Sequence, residues 1–135
     1  KSIFQAYSKH PNFESFYQVL ENRLKTNYTY LNDLNIDLIK DICSYQKIKA
    51  NFLKSKDFKN STDKNQNLIN LCLKFNCETY ISGRLGEDYL DIELFRKNNI
   101  KIEFNDFVLL PYKQKNLNKF VSNLSIIDYI FNYEK

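Results

Sequence analysis

Only two glycines occur in this sequence, and both fall in one short stretch, Ile81-Ser82-Gly83-Arg84-Leu85-Gly86-Glu87-Asp88-Tyr89-Leu90. Glycine is what a backbone uses to turn tightly or to let a ligand come close. The stretch lies between a strand-like run and a helix-like run. A chain that avoids glycine elsewhere and places both copies at one corner marks that corner as its first candidate site.

The remaining composition bounds the class of protein. The 135 residues suit a single domain with a real core, and 43% hydrophobic content rich in Phe and Tyr is ordinary for a globular chain. The first residue is Lys1 rather than Met, which predicts that the sequence begins within a longer protein. The net charge of +4 comes mostly from scattered Lys, with Arg23, Arg84 and Arg96 the only guanidinium groups. Nucleic-acid modules cluster such charge on one face, so no nucleic-acid partner is expected, only a mild attraction for anions such as phosphate. Cys43, Cys72 and Cys77 are odd in number and form no Cys-x-x-Cys pair, so neither a disulfide framework nor a zinc site is expected. There is no apolar run long enough to insert into a membrane and no signal-peptide pattern, which makes the cytoplasm the expected compartment.

Periodicity supplies the elements. Phe13, Phe16, Tyr17, Leu20 and Leu24 recur at helical spacing after Pro11-Asn12, and Leu31, Leu34, Leu38, Ile39, Ile42 and Cys43 repeat the pattern. Two leading amphipathic helices are therefore expected, joined near Asn27 to Thr29. A short strand is expected around Asn51-Phe52-Leu53. Ser61-Thr62-Asp63 then starts a helix with the apolar stripe Leu68, Leu71, Cys72 and Phe75.

Glu78 to Ile81 reads as a strand, Tyr89 to Lys97 as a helix ending at Asn98-Asn99, and Ile100 to Phe104 alternates as a second strand. Such alternation implies an α/β fold: a small wound, mostly parallel sheet with flanking helices, two leading helices and a C-terminal helix. Val108 to Tyr112 is expected at a sheet edge because Pro111 cannot donate to a central ladder. Ser125-Ile126-Ile127-Asp128 carries the capping-box pattern of a helix start.

Several residues invite chemistry. The Ser82 to Gly86 corner sits where the carboxyl end of a strand meets the amino end of a helix, a place where free N–H groups favour an anion, and Arg84 adds a guanidinium fork. An ordinary tight connection, with Glu87 and Asp88 complementing the helix dipole, explains the same residues. His10, the only imidazole, precedes Pro11 at a helix boundary and reads as a surface or capping residue. Ser125 and Asp128 invite a nucleophile-and-base reading, although a helix cap needs the same spacing. Tyr112 and Gln114, on one side of an extended segment, suit recognition of hydroxyl or amide groups, or strand termination.

The succession Glu78-Thr79-Tyr80-Ile81-Ser82-Gly83, Asp88-Tyr89-Leu90, Ile100 to Phe104, Tyr112-Lys113-Gln114, Phe120 and Leu124 to Asn132 resembles the C-terminal part of the WbqC-like protein family. Ala6-Tyr7-Ser8-Lys9 and Asp33-Leu34-Asn35 follow the same family order, so the likeness spans essentially the whole chain. The family's opening motif, His-Gln-Pro-x-Tyr-x-Pro-Trp-x-Gly, does not occur here, and Tyr133 stands where a glycine often follows Phe-Asn.

The resemblance implies a bacterial protein of surface-polysaccharide (O-antigen type) biosynthesis, a transferase that places an acyl or aminoacyl group on a nucleotide-linked amino sugar and needs no cofactor. Ser82, Gly83 and Arg84 would then contact a phosphate or carboxylate, Tyr89, Tyr112 and Gln114 would read polar ligand groups, and Ser125, Asp128 and Asn132 would form the opposite wall. Catalysis is expected of the full-length protein and not of this piece alone. The competing expectation is a non-catalytic scaffold that binds proteins of the same pathway.

Overall fold

Lacking glycine, the helices must end without it, and the way they do so shapes the architecture. The computed structural model describes residues 2–54, 58, 63–115 and 117–133. The elements in chain order are α1 (Ser2–Tyr7), α2 (Phe13–Lys25), α3 (Leu31–Tyr45), α4 (Lys64–Lys74), β1 (Thr79–Gly83), a short 3-10 turn (Arg84–Asp88), α5 (Ile92–Lys97), β2 (Lys101–Asn105) and α6 (Ile126–Asn132).

Three of the helices close in the same way. After α3, the Ile48 N–H donates to the Cys43 carbonyl and the Lys47 N–H to the Ser44 carbonyl. Cys77 and Asn76 repeat this after α4, and Ile100 and Asn99 after α5. These paired bonds are the Schellman closure, which needs one residue in the left-handed region and usually takes glycine there. Here Lys47, Asn76 and Asn99 stand at φ of 59°, 52° and 58°. Asparagine tolerates that region through its short polar side chain; lysine has no such help.

The described residues group into two compact units, residues 1–51 with 109–135, and residues 52–108. In the first, Phe13, Phe16, Tyr17 and Leu20 of the stripe expected for α2, and Leu38 and Ile42 of that expected for α3, pack with Ile130 and Phe131 of α6, whereas Leu24, Leu31 and Ile39 are exposed. Phe13, Phe16, Leu20, Ile130 and Phe131 form the buried core, and Ile3, Tyr7, Leu38, Ile42 and Tyr45 pack around it. Phe131 meets Phe13 and Tyr7 with ring centroids 5.2 and 5.4 Å away. The Asn12 N–H donates to the Phe131 carbonyl at 3.1 Å, and the Asn12 amide to the Tyr133 carbonyl, tying the start of α2 to the end of α6. Arg23 adds a fork onto Asp41 at 2.6 and 3.0 Å and a bond to Asp37 at 3.1 Å, fastening α2 to α3.

In residues 52–108 the fold is α/β with a small parallel sheet. Strand β1 pairs with β2 in parallel, in the register Thr79↔Lys101 through Gly83↔Asn105. The parallel pairing requires a crossover, which the 3-10 turn and α5 provide. Tyr80, Ile102 and Phe104 face a core of Ile69, Cys72, Leu90, Phe95 and Ile100, whereas Ile81 on the other face is exposed. Helix α4 starts at Asp63, whose carboxylate accepts from the Gln66 N–H at 3.0 Å; Ser61 and Thr62 lie outside the described residues.

Three local expectations are corrected. Asn51 to Leu53 and Val108 to Tyr112 are irregular rather than strands, because no described strand offers them a ladder. The helix expected from Tyr89 begins at Ile92, capped by Asp91, after the 3-10 turn has used the preceding residues. No helix among the described residues is long and apolar enough to cross a membrane.

The two glycines also part company. Neither has positive φ. A Cβ at Gly83 would meet nothing within 4 Å, whereas one at Gly86 would lie 2.1 Å from Ser82 Oγ and 3.0 Å from Leu90 Cδ1. The close approach at this corner is thus made by the chain's own Ser82.

Two outcomes follow for urea unfolding. Gly86→Ala is expected to lower stability by about 1–3 kcal/mol through overpacking, with Gly83→Ala within about 0.5 kcal/mol of the parent; equal effects would contradict the contact geometry. Lys47→Gly, which removes Cβ strain in the left-handed region, is expected to stabilise by about 0.5–1 kcal/mol.

Candidate functional site

Helix α6 is only seven residues long, yet four of them are buried: Asp128, Ile130, Phe131 and Asn132. Ile130 and Phe131 enter the apolar core. Asp128 and Asn132, one turn apart, share another face of the helix. The helix starts at Ser125, whose Oγ accepts from the Ile127 N–H at 3.4 Å, while the Ser125 carbonyl accepts from the Asp128 N–H at 2.9 Å. The reciprocal capping box is replaced, because the Asp128 side chain turns inward instead of back to Ser125.

There the Asp128 carboxylate, 4% exposed, meets four donors. Tyr7 Oη donates to Oδ1 at 3.0 Å, Tyr112 Oη to Oδ2 at 2.6 Å, Gln114 Nε2 to Oδ2 at 3.0 Å, and Asn132 Nδ2 to Oδ1 at 3.2 Å. A buried carboxylate is tolerated only when its lone pairs are used in this way. Each oxygen receives two donors, so the group suits holding its neighbours in place.

The neighbours are themselves committed. Gln114 Nε2 donates to the Val121 carbonyl at 3.0 Å and Gln114 Oε1 accepts the Val121 N–H at 2.8 Å, so the side chain acts as a peptide mimic that closes the intervening loop. Asn132 Oδ1 accepts the Lys115 N–H at 2.7 Å, and Asn132 Nδ2 donates to the Asp128 carbonyl at 2.8 Å. Burial, then donation to Asp128, raises the Tyr7 phenol above its ordinary value; the same causes, opposed by Gln114, push Tyr112 up to about 12. Both remain protonated donors at neutral pH.

Beside this group lies an open depression of about 560 Å³, within the size range of small-molecule sites. Gln114 and Asn132 form the part of its wall that Asp128 holds. Lys113, Lys115 and Asn118 add further polar groups, and Pro11 and Leu117 add apolar surface. None of these lining residues is acidic. Lys115 Nζ donates to the Lys9 carbonyl. Among the described residues Lys113 makes no ion pair, and no three His, Cys, Asp or Glu side chains gather to hold a metal.

Of the residues singled out from sequence, Tyr112, Gln114, Asp128 and Asn132 come together, with Ser125 at the start of the same helix. Ser82, Gly83, Arg84 and Tyr89 belong to the other unit. Ser82 is buried beneath Gly86, Arg84 is exposed with its Nε held by Asp106 at 2.6 Å, and Tyr89 is exposed. The 3-10 turn after Gly83 has five residues, too few to sum into a helix dipole. An anion at Arg84 would compete with Asp106. His10 carries a buried Nδ1 without a partner among the described residues, its ring 4.9 Å from that of Tyr7.

Sequence reasoning assigned no chemical role to Tyr7, Pro11, Lys113, Lys115 or Asn118. The alternation Tyr112-Lys113-Gln114-Lys115 was the available signal for the two lysines, since an extended segment sends successive side chains to opposite sides. Nothing local links Tyr7 to Asp128, 121 residues away.

The whole chain, residues 1–135, matches the WbqC-like protein family, and it belongs to that family. It is 32% identical over 110 residues to the uncharacterized protein Rv1507c of Mycobacterium tuberculosis, a match covering 81% of this chain and 47% of that protein. The chain thus spans about half the length of this relative. No solved structure matches it.

Asp128→Ala would leave several buried donors unpaired and is expected to cost about 2–4 kcal/mol in denaturant unfolding; a loss under about 0.5 kcal/mol would show the network to be energetically idle. The phenols give a pH signature. Because Tyr7 and Tyr112 bind their protons more tightly folded than at the ordinary value of 10.0, their contribution is complete below that pH and is lost as pH rises above it, for Tyr112 toward about 12. Urea midpoints measured across this range should fall, and Tyr112→Phe should remove part of the fall; an identical slope in the variant would contradict it.

Proposed function

We propose that the full-length protein is a transferase of bacterial surface-polysaccharide biosynthesis, acting in the cytoplasm on a nucleotide-linked amino sugar by acyl or aminoacyl transfer. Family membership supports the pathway. The observation that carries the ligand reading is the depression beside Asp128, whose wall sets the Asn118 carboxamide beside two lysines: an amide suits the hydroxyl and acetamido groups of a sugar, and ammonium groups suit its phosphates.

In this reading Gln114 and Asn132 form a ligand-facing wall backed by Tyr112, and Asp128 is a positioning residue, since its oxygens already accept four hydrogen bonds. Ser125, at the start of the same helix, stays a candidate for contact with the reacting group. Ser82, Gly83, Arg84 and Tyr89 would serve a second contact region, where Arg84 exchanges Asp106 for a ligand phosphate or carboxylate. No cofactor is invoked.

A second reading, a scaffold for proteins of the same pathway, is favoured by the large apolar side chains left exposed on residues 52–108, with Leu85, Phe107 and Val108 each more than 70% accessible.

A thermal-shift series on the full-length protein with nucleotide-linked amino sugars separates the two. Stabilisation by a few degrees at saturating ligand is expected. Absence of any shift, together with recovery of a stable protein complex from the native host, would favour the scaffold.

A further inference from the structure

We propose that Lys113 and Lys115 make the depression beside Asp128 a binding site for a phosphoryl anion of about two negative charges, the diphosphate of a nucleotide-linked ligand. This deepens the ligand reading above and rests on it for the identity of the ligand, but the site itself stands on geometry.

The first consideration is charge. Two lysines line one concavity, and none of its described lining residues is acidic. Two other lysines are neutralised locally, Lys25 by Glu21 at 3.1 Å and Lys101 by Glu103 at 2.7 Å. Among the described residues neither Lys113 nor Lys115 makes such a pair, and the Lys115 ammonium donates to the Lys9 backbone carbonyl. The nearby carboxylate, Asp128, has its oxygens occupied by Tyr7, Tyr112, Gln114 and Asn132. Unpaired positive charge in a concave wall focuses the field on whatever enters.

Preorganisation is the second. Gln114 and Asn132 cannot swing away, because each is bound on both its amide nitrogen and its carbonyl oxygen. The Lys115 backbone is held by Asn132, and its ammonium donates to the Lys9 carbonyl. An ammonium has three donors, so two remain for a ligand. Much of the ordering cost of binding is thus met before the ligand arrives. Asn118 and Leu117 on the same lining offer a carboxamide and an apolar surface for the groups attached to the phosphate.

Calorimetric titration of the full-length protein with inorganic pyrophosphate, a nucleoside diphosphate and a nucleotide-linked amino sugar tests the site. The expected result is that each phosphate probe binds, and that the double variant Lys113→Gln with Lys115→Gln weakens each by about tenfold or more. Lys113→Arg with Lys115→Arg keeps the charge and is expected to restore most of the binding. An unchanged melting temperature in the glutamine variant shows that the fold is intact. Unaltered affinity in that folded variant overturns the proposal, as does failure of all three probes to bind.

The two readings fail separately. Pyrophosphate binding that depends on the lysines, with no response to the nucleotide-linked sugar, supports the anion site and removes the sugar-transferase reading. Nucleotide-sugar binding indifferent to the lysines does the reverse. Lysine-dependent binding of an oligonucleotide without pyrophosphate binding overturns the small-anion proposal in favour of a nucleic-acid surface.

Discussion

One buried carboxylate organises the unit formed by residues 1–51 and 109–135. Asp128 draws together a phenol from the end of α1, a phenol and a carboxamide from the extended segment after Pro111, and a carboxamide from its own helix. A charge in that position is unfavourable unless every partner is present. The same interaction therefore selects the conformation of all of them. Gln114, once held by Asp128, pairs with both backbone groups of Val121, and Asn132, once held, fixes Lys115. The wall of the depression follows from the ionic group behind it.

The apolar core beneath explains why this arrangement is affordable. Phe131 and Ile130 are fully buried beside Asp128 and Asn132 on one short helix. A seven-residue helix has little stability of its own. It persists because one face enters the Phe13 and Phe16 cluster while another is closed by polar bonds. Packing and polar satisfaction act on opposite sides of the same element, which makes α6 the meeting point of stability and the candidate site.

Glycine scarcity leads to a different outcome from the one its placement suggests. The backbone conformations that normally require glycine are adopted by Lys47, Asn76, Asn99 and Asn123, and neither glycine takes one. Gly86 is explained instead by the Ser82 side chain packed against it. Nothing in the structure requires glycine at position 83. A residue type flags a place of backbone freedom or close contact, and only coordinates tell which of these it serves and whether the contact is to a ligand or to the chain itself.

What the sequence determined by itself was whatever depends on local periodicity and local capping: the existence of helices α2, α3 and α4, though not every residue of their buried faces, since Ile69 and not Phe75 is buried on α4, the two strands, the Asn98-Asn99 ending of α5 and the Ser125 start of α6. The side-by-side roles of Tyr112 and Gln114 were also legible, because alternate residues of an extended segment share a side. The tertiary structure alone decided that Tyr7 meets Asp128, that Asp128 turns inward instead of capping its helix, and that Lys113 and Lys115 line a concavity. Two extended runs, Asn51 to Leu53 and Val108 to Tyr112, look like strands in isolation but find no described ladder. The reason is common to all of these cases. Helical and strand repeats are written within a few residues, whereas a buried charge chooses its partners across the fold, and no spacing in the chain encodes a contact made 121 residues away.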